Sequence, residues 1–385
     1  SSIGVLDYNW SPDGKWLWYS QLRAKSEQRR VRFDEDVSAL RSRRRSTIDV
    51  EIDYFLRGPD GKSVKMLTRP SNDRLATRGG GQILWRGDEV QFRIETPDGS
   101  AGGRFEMRAW NRISGKIRTL GSEQNLETVV LLRGPRGGEL ATTGLGDKLE
   151  LVETGPDGDR HSYGRFAFTV GDPRSAGPKL SRDGKRLVLG TRDLVTARYG
   201  LALVERNGVK VIAGDRSLTR CAYDDALHFA VCIEEGIATP PRLVKVDLQT
   251  GRIGSLAPIS PRHNEIAPLH IIPRAWTNRD GYKASGFVMF PRDHRPKRRY
   301  PVIVVTHGTD ADDRFADPAF QWNYPVQVLA ERGYVVLLIN DPSPYQSEAL
   351  MAAFKAWIRG NGPPGPEALQ RLLWINGVHS FEDAV

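Results

Sequence analysis

The stretches Pro301-Val-Ile-Val-Val-Thr306 and Tyr334-Val-Val-Leu-Leu-Ile-Asn340 decide the fold of this chain. Each is an apolar run of the length of one strand, and β-branched residues dominate the first. Between them, Ala319–Arg332 is predicted to form a helix, which Gly333 ends at the position where a left-handed residue is usual. Strand, helix and strand in this order indicate a βαβ unit, whose two strands should be parallel and buried on both faces.

The predicted helix has one apolar face that should pack on these strands. Phe320, Tyr324, Val328 and Leu329 recur at spacings that share a face. One βαβ unit cannot cover its own sheet, so the sequence predicts that the rest of an α/β domain exists in addition to this unit.

Short strand-like runs separated by turn signals fill the chain from Ser1 to about Pro268. Gly58-Pro-Asp-Gly-Lys62 and Asp247-Leu-Gln-Thr-Gly-Arg252 are two such turns, each with glycine where a positive φ is favoured. Leu180–Leu189 repeats the turn-and-strand pattern of Trp10–Tyr19, and no helical periodicity competes. Paired hairpins about 40 residues apart indicate propeller blades, roughly six at this period. A pair of β-sandwiches is the alternative.

The amino-acid composition is that of a globular protein and does not indicate a membrane-spanning or a nucleic-acid-binding protein. The chain has 385 residues, 39% hydrophobic and 27% charged, which suits two globular domains, and it contains no apolar run long enough for a transmembrane helix. The net charge of +9 is concentrated in Arg29–Arg45 and Lys297–Arg299. No base-stacking or groove-reading motif accompanies these runs, so we interpret them as solvated loops and expect neither a nucleic-acid nor a membrane partner.

The two cysteines, Cys221 and Cys232, lack the spacing of a zinc site. A hairpin around Asp224-Asp225 could place the two sulfurs on facing strands, so either a disulfide or two separate buried thiols fits the sequence. A disulfide would favour the periplasm and free thiols the bacterial cytoplasm, which leaves the location open.

Several segments of the second half resemble one enzyme family. Asp280-Gly-Tyr282, Pro291, Tyr300–Gly308 and Leu329–Val335 resemble the opening of the peptidase domain in the prolyl-oligopeptidase family. The resemblance implies a mainly β part followed by an α/β part: a β-propeller of six to seven blades over 1–268, and the N-terminal part of an α/β-hydrolase domain over 274–385. The segment Trp374–Asp383 is similar to the stretch before the nucleophile strand in the lasso-peptide isopeptidases of this family.

The catalytic residues of such a hydrolase are not expected within this chain. A nucleophile elbow needs Gly-x-Ser-x-Gly, and the sequence contains none. Ser380 lacks the glycine spacing, and with Asp383 it fits the N-cap of a helix. The resemblance therefore implies that the nucleophile, acid and base lie after Val385 and that this chain alone is inactive. It implies no cofactor.

One catalytic element is predicted to be present. His307-Gly308-Thr309 follows the first buried strand and matches the family's loop that helps to form the oxyanion hole, where a donor stabilises the negative oxygen of a tetrahedral intermediate. Many members have an aromatic residue and two glycines there. The departures at His307 and Thr309 leave open whether a side chain or a backbone N–H donates, and the alternative is a tight loop with a solvated histidine.

Two acidic groups are weaker candidates. Asp310, Asp312, Asp313 and Asp317 lack calcium-loop spacing, so we predict no metal site. Glu234-Glu235 resembles the paired glutamates of dipeptidyl peptidases only in composition, because the local sequence indicates a strand and a turn rather than a helix.

The resemblance thus implies a serine peptidase that hydrolyses an amide or isopeptide bond in a peptide substrate, which in the isopeptidase branch is a threaded lasso peptide. The rival interpretation is a propeller that binds a peptide or protein and performs no chemistry.

Overall fold

The computed structural model describes residues 2–11, 13–24, 50–70, 84–96, 104–122, 129–146, 149–170, 175–212, 216–262, 269–306, 313–315, 326–340 and 342–351. Within these ranges the first α-helix begins at Val326, and the chain up to Pro258 is strand, turn or irregular apart from a 3-10 position at Gly146. This agrees with the dominance of hairpin signals in the sequence.

In the described part of the chain, five antiparallel sheets follow one another, each built mainly from consecutive strands. The first contains β1 (Ser2–Trp10), β2 (Leu17–Ala24), β3 (Val50–Arg57) and β4 (Ser63–Pro70). The second contains β5 (Leu84–Arg86), β6 (Glu89–Thr96), β7 (Arg104–Asn111) and β8 (Ile117–Ser122). The third contains β9 (Val129–Arg133), β10 (Glu139–Thr143), β11 (Glu150–Thr154) and β12 (Arg160–Arg165).

The fourth sheet contains β13 (Phe168–Val170), β15 (Arg186–Asp193), β16 (Tyr199–Glu205) and β17 (Gly208–Ile212), with the short β14 (Lys179–Leu180) paired to β15. The fifth contains β18 (Ser217–Tyr223), β19 (Phe229–Gly236), β20 (Thr239–Asp247) and β21 (Ile253–Pro258). We call these five sheets the β half.

Neighbouring sheets of the β half share hydrophobic cores. Trp18 of the first sheet packs in one cluster with Trp110 of the second. Leu84 of the second sheet clusters with residues of the third and fourth, and Leu201 of the fourth clusters with Leu218 of the fifth. Sheets that bury their faces against the next sheet along the chain are the arrangement expected of propeller blades.

Five sheets of this kind are described, whereas the sequence and its resemblance predicted six to seven blades. The number of blades therefore stays a prediction, and the blade period is not constant over the described residues. The first sheet runs from Ser2 to Pro70, since the arginine-rich segment 25–49 separates β2 from β3. A period of about 40 residues therefore fails for this blade. Closure of the sheets around one axis stays a prediction.

The repeated turn sequence has one repeated structure. Ser11 Oγ donates to Asp13, and the backbone N–H of Trp16 donates to Ser11 Oγ at 2.9 Å. Ser181 Oγ donates to Asp183 Oδ1 at 2.7 Å, and Arg186 N–H donates to Ser181 Oγ at 2.9 Å. In both turns the serine hydrogen bond holds the pKa of the aspartate below its ordinary value. Local side-chain bonds thus fix these hairpins.

Cys221 and Cys232 form a disulfide between β18 and β19. The hairpin around Asp224 places them on facing strands, as one of the two sequence interpretations required. The disulfide is therefore confirmed, and the alternative of two free thiols was wrong.

A mixed sheet and a helix form the α/β half. Its elements are β22 (Ile271–Thr277), β23 (Lys283–Met289), β24 (Val302–Thr306), α1 (Val326–Glu331) and β25 (Val335–Ile339). The order of its described strands is β22-β23-β25-β24, and among them only the β24–β25 pair is parallel. The predicted parallel pairing is confirmed, while the right-handed crossover stays a prediction. The boundary near residues 268–274 also stays a prediction.

Helix α1 ends as the sequence indicated. Gly333 has φ +93°, its N–H donates to Ala330 O at 3.0 Å, and Tyr334 N–H donates to Leu329 O at 3.3 Å. These two bonds form a Schellman motif. The predicted apolar face was partly wrong: Val326 and Ala330 are buried, whereas Val328 is 49% exposed. Residues 326 and 330 are one turn apart and face the sheet, so residue 328 points away.

The expected start of this helix, including Phe320 and Tyr324, lies outside the described residues. Beyond β25, a 3-10 helix (Pro344–Gln346) is followed by a helical turn at 348–351, where Leu350 N–H donates to Ser347 Oγ at 3.1 Å. The arginine-rich stretch, Ser380 and the segment Trp374–Asp383 also lie outside the described residues. Among those described, no helix is long and apolar enough to cross a membrane.

Candidate active site

The carboxyl end of β24 is where the sequence places the candidate oxyanion residues. Thr306, the last residue of β24, pairs with Ile339 of the parallel strand β25. The next three residues, His307, Gly308 and Thr309, lie outside the described residues, so their role stays a prediction. The end of the neighbouring strand β25 is bonded to β23, because buried Asn340 donates its backbone N–H to Ser285 O at 2.9 Å.

Strand β24 is an edge of the sheet within the described part of the chain. It pairs with β25 alone, and Val302 is 55% exposed. The expectation that both strands are buried on both faces therefore holds better for β25, whose Val336 is fully buried, than for β24. An apolar edge of this kind is normally covered in a folded protein.

The acidic group after this strand has one described member, Asp313, and it faces arginine. The Asp313 carboxylate is buried, and Arg198 Nε, in the turn between β15 and β16, donates to its Oδ2 at 2.6 Å. The backbone N–H of Ile237 donates to its other oxygen at 2.8 Å. Asp310, Asp312 and Asp317 lie outside the described residues. Asp313 therefore uses its oxygens as a partner for protein donors.

The two adjacent glutamates of the fifth sheet have different partners. Glu234 is paired within its own sheet, with Arg242 Nε donating at 2.6 Å and Arg216 at 3.5 Å. Glu235 instead reaches the α/β half, where Arg314 Nε donates to it at 3.2 Å. Both carboxylates are buried. The sequence correctly placed them at a strand end but did not reveal these partners.

The contacts of Asp313 and Glu235 could not be predicted from the sequence, because their arginine partners are remote in the chain. Arg198 precedes Asp313 by 115 residues, and Glu235 precedes Arg314 by 79. The available signal was the pair of acids at the end of a strand followed by glycine, which is unusual in a strand that is otherwise apolar. Nothing in the spacing identifies which arginines they meet.

The α/β half contacts the same end of three successive sheets. In the fourth sheet, Val195 O, in the turn between β15 and β16, accepts a hydrogen bond from Ser285 Oγ of β23. In the fifth, the contacts come from the turn between β19 and β20. In the third, a Cβ built on Gly146, between β10 and β11, would lie 3.2 Å from Gln346 O. The turns between second and third strands thus form the surface on which the α/β half rests.

An open cavity of about 600 Å³ lies elsewhere on the β half. Its lining includes Arg186, Glu205 and Lys210, at the end of the fourth sheet opposite the turn that contains Val195. It is therefore separate from the junction of the two halves, and no predicted site residue lines it.

No protein-family model and no curated protein sequence matches the chain. Several solved structures are similar to it in fold. An acylaminoacyl peptidase from Pyrococcus horikoshii aligns with a TM-score of 0.59 at 14% identity, over 98% of this chain and 56% of that one. A prolyl endopeptidase aligns at 0.52 and 12% identity, over 100% and 58%. Dipeptidyl peptidase 4 from Porphyromonas gingivalis aligns at 0.51 and 12% identity, over 92% and 54%.

The chain spans just over half the length of these peptidases. At such identities the likeness concerns the fold, and it extends across both the β half and the α/β half. The resemblance found in the sequence is confirmed at this level: the chain has the fold of the prolyl-oligopeptidase family of peptidases.

Proposed function

We propose that the protein made from the complete gene is a serine peptidase of prolyl-oligopeptidase type, which hydrolyses an amide or isopeptide bond in a peptide. The observation that carries this proposal is the mixed sheet β22-β23-β25-β24, which follows five antiparallel sheets in a chain that aligns over 98% of its length with an acylaminoacyl peptidase. The catalytic serine, aspartate and histidine are proposed to lie beyond Val385, since residues 1–385 contain no nucleophile elbow.

In this proposal, residues 307–309 contribute to the oxyanion hole. The serine oxygen attacks the scissile carbonyl, and negative charge develops on the carbonyl oxygen in the tetrahedral intermediate. A donor from His307, Gly308 or Thr309 stabilises that charge more than it stabilises the bound substrate, so it accelerates the chemical step. The position directly after β24 supports the assignment, because ligands of such sheets bind beyond the carboxyl ends of the strands.

The substrate proposal is a peptide that the β half helps to select. The likeness of Trp374–Asp383 to lasso-peptide isopeptidases suggests a threaded lasso peptide, in which the bond cut joins the amino terminus to an acidic side chain. This finer assignment rests on sequence resemblance alone. A linear peptide is the broader substrate class that the fold supports.

The test is a comparison of peptide hydrolysis by the complete protein and its His307→Ala variant. Linear peptides, N-blocked peptides and a threaded lasso peptide are offered separately. We expect cleavage of at least one class, and we expect His307→Ala to lower kcat with little change in KM, because an oxyanion donor acts in the transition state.

The matched control is His228→Ala, since His228 lies on an exposed hairpin of the fifth sheet. Its kinetics should equal those of the parent. Binding of peptides without any cleavage would favour the non-catalytic propeller, and equal kcat in His307→Ala and the parent would show that the 307–309 side chains are structural.

A further inference from the structure

The segment 291–300, which we call the basic loop, joins β23 to β24. The chain continues through Pro301, whose carbonyl accepts the backbone N–H of Val335 at 3.0 Å. Val335 begins β25, so the basic loop lies at the amino ends of the two parallel strands. The candidate active site is proposed at their carboxyl ends, about 15 Å away along strands of five residues. The basic loop is therefore a surface separate from that site.

The tip of the basic loop is a turn in an unusual backbone conformation. Arg298 N–H donates to Arg295 O at 3.2 Å and closes the turn around Pro296 and Lys297. Lys297 has φ +71°. Proline followed by a residue of positive φ is the pattern of a type II turn, whose third residue is normally glycine or asparagine. A lysine at this position is strained, so the surrounding loop has to hold it there.

Tyr300 holds the basic loop in this shape. Its hydroxyl accepts the backbone N–H of Arg295 at 2.8 Å and donates to Asp293 O at 3.4 Å. Its ring packs on His294 with 5.1 Å between the ring centroids, and His294 packs in turn on Phe290 at 4.4 Å. The sequence alone indicated a solvated loop, and the structure adds that the loop is already ordered. An ordered loop pays less conformational entropy when it binds a partner.

The basic loop presents a cluster of cations without acidic partners. Arg292 is paired with Glu331 of α1. Four other cations of the loop are exposed, and none of them forms an ion pair with an acidic side chain in the described part of the chain: Arg295, Lys297, Arg298 and Arg299. The Arg298 guanidinium lies over the Tyr300 ring, 5.3 Å from its centroid, which orients it. Like charges at this density repel one another, and an anionic partner would relieve the repulsion.

We propose that the basic loop is a docking site for an acidic segment of a partner protein, rich in aspartate and glutamate. Guanidinium groups bind carboxylates in a bidentate manner, so the exposed arginines suit such a segment. Nucleic acid fits less well, because Phe290, His294 and Tyr300 are half-buried and packed on one another and so do not offer their faces to bases. An anionic membrane also fits less well, since Pro296 and Lys297 at the tip provide no apolar anchor.

The test measures binding of a fluorescein-labelled peptide of alternating glutamate and serine to the complete protein by fluorescence anisotropy. We expect binding at low salt that weakens at physiological salt, because exposed charges are screened. Replacing Arg295, Arg298 and Arg299 together with glutamine should lower the affinity about tenfold, since each exposed ion pair contributes only a modest share. No binding of the peptide at low salt would overturn the proposal.

The matched control removes the same charge elsewhere. Lys15, Lys62 and Lys116 are exposed on hairpin turns of the first two sheets, and their triple replacement with glutamine should leave the affinity at the value of the parent. An equal loss in the two triple variants would show that the peptide responds to the overall charge of the protein, and the docking site would be refuted.

A second variant separates an ordered site from charge alone. Tyr300→Phe keeps every charge and every ring but removes the hydroxyl that accepts the Arg295 N–H. We expect faster hydrogen exchange in a peptide covering residues 293–299 and an affinity about threefold lower, because the loop loses part of its order. Unchanged affinity despite faster exchange would contradict a preformed site.

Two competitor probes test the class of partner. A single-stranded oligonucleotide and vesicles that contain phosphatidylserine are offered under the same conditions. Tighter binding of either probe than of the acidic peptide, lost in the arginine triple variant, would replace the acidic protein segment by nucleic acid or membrane. The result does not depend on the proposed function, because binding is measured without hydrolysis and a protein that cleaves no peptide can still bind through this loop.

Discussion

The β half and the α/β half are built on different kinds of contact. In the β half each sheet is formed mainly by strands that follow one another in the chain, and each sheet shares a core with the next. In the α/β half, β23 pairs with β25, although a strand and a helix separate them in the sequence. One small hydrophobic core packs on this sheet, and β24 lies at the edge of its described part. Local turns can specify the first arrangement, whereas the second depends on pairings between distant segments.

The comparison predicts its largest stability effect where two sheets of the β half meet. Leu218 on β18 is fully buried in the cluster shared by the fourth and fifth sheets. We expect Leu218→Ala to lower the free energy of unfolding by about 2–5 kcal/mol, because it leaves a cavity that neighbouring sheets cannot fill. Urea unfolding of the parent and of Leu218→Ala measures this difference in the free energy of unfolding.

The matched control lies in the same sheet. Leu256 on β21 is 54% exposed, so Leu256→Ala should change the free energy of unfolding by less than about 0.5 kcal/mol. Equal effects of the two leucine variants would mean that the sheets do not share a core.

The disulfide should give the next largest effect. It closes a sequence separation of 11 residues between β18 and β19. By the loop-entropy relation, replacing both cysteines with serine should cost about 3 kcal/mol of unfolding free energy. The measurement is urea unfolding of parent and variant, each with and without reductant. Reductant should destabilise the parent alone. A parent that is insensitive to reductant would argue against this cross-link.

A smaller effect tests how far local turns specify the β half. Gly184, in the Ser181 turn, has φ +71° with open space around the missing Cβ. Gly184→Ala should therefore cost about 1 kcal/mol from backbone strain alone. Gly208 is also surrounded by open space but has no positive φ, so Gly208→Ala should not destabilise in this way. Thermal unfolding of the two variants compares them, and equal melting temperatures would show that the turn tolerates a side chain.

The difference between local turns and pairings of distant segments also explains which sequence predictions were confirmed. The parallel strands β24 and β25 were visible as apolar runs, and the disulfide was open to prediction because a turn lies between the two cysteines. The assumed period of about 40 residues does not hold for the first sheet, because a long segment separates β2 from β3. Val328 was placed on the wrong face because several helical registers fit an apolar segment, and packing on the sheet selects one.

The junction of the halves could not be predicted from sequence. The residues around Glu235 and Arg314 do not indicate that these two side chains pair. A salt bridge between distant segments depends on how the sheets are placed. The contacts of these two residues, and those of Asp313, emerge only from the three-dimensional arrangement. His307–Thr309, in contrast, were proposed from resemblance, and their contribution is tested through kinetics.

The central proposal is that this chain is part of a serine peptidase whose nucleophile lies outside residues 1–385. Labelling with a fluorophosphonate probe tests it most directly, because the probe reacts with serines activated by a neighbouring base. The account predicts no labelling of the 385-residue chain and stoichiometric labelling of the complete protein at one serine after Val385, located by mass spectrometry of its peptides. Stoichiometric labelling of any serine between Ser1 and Val385 would contradict the account.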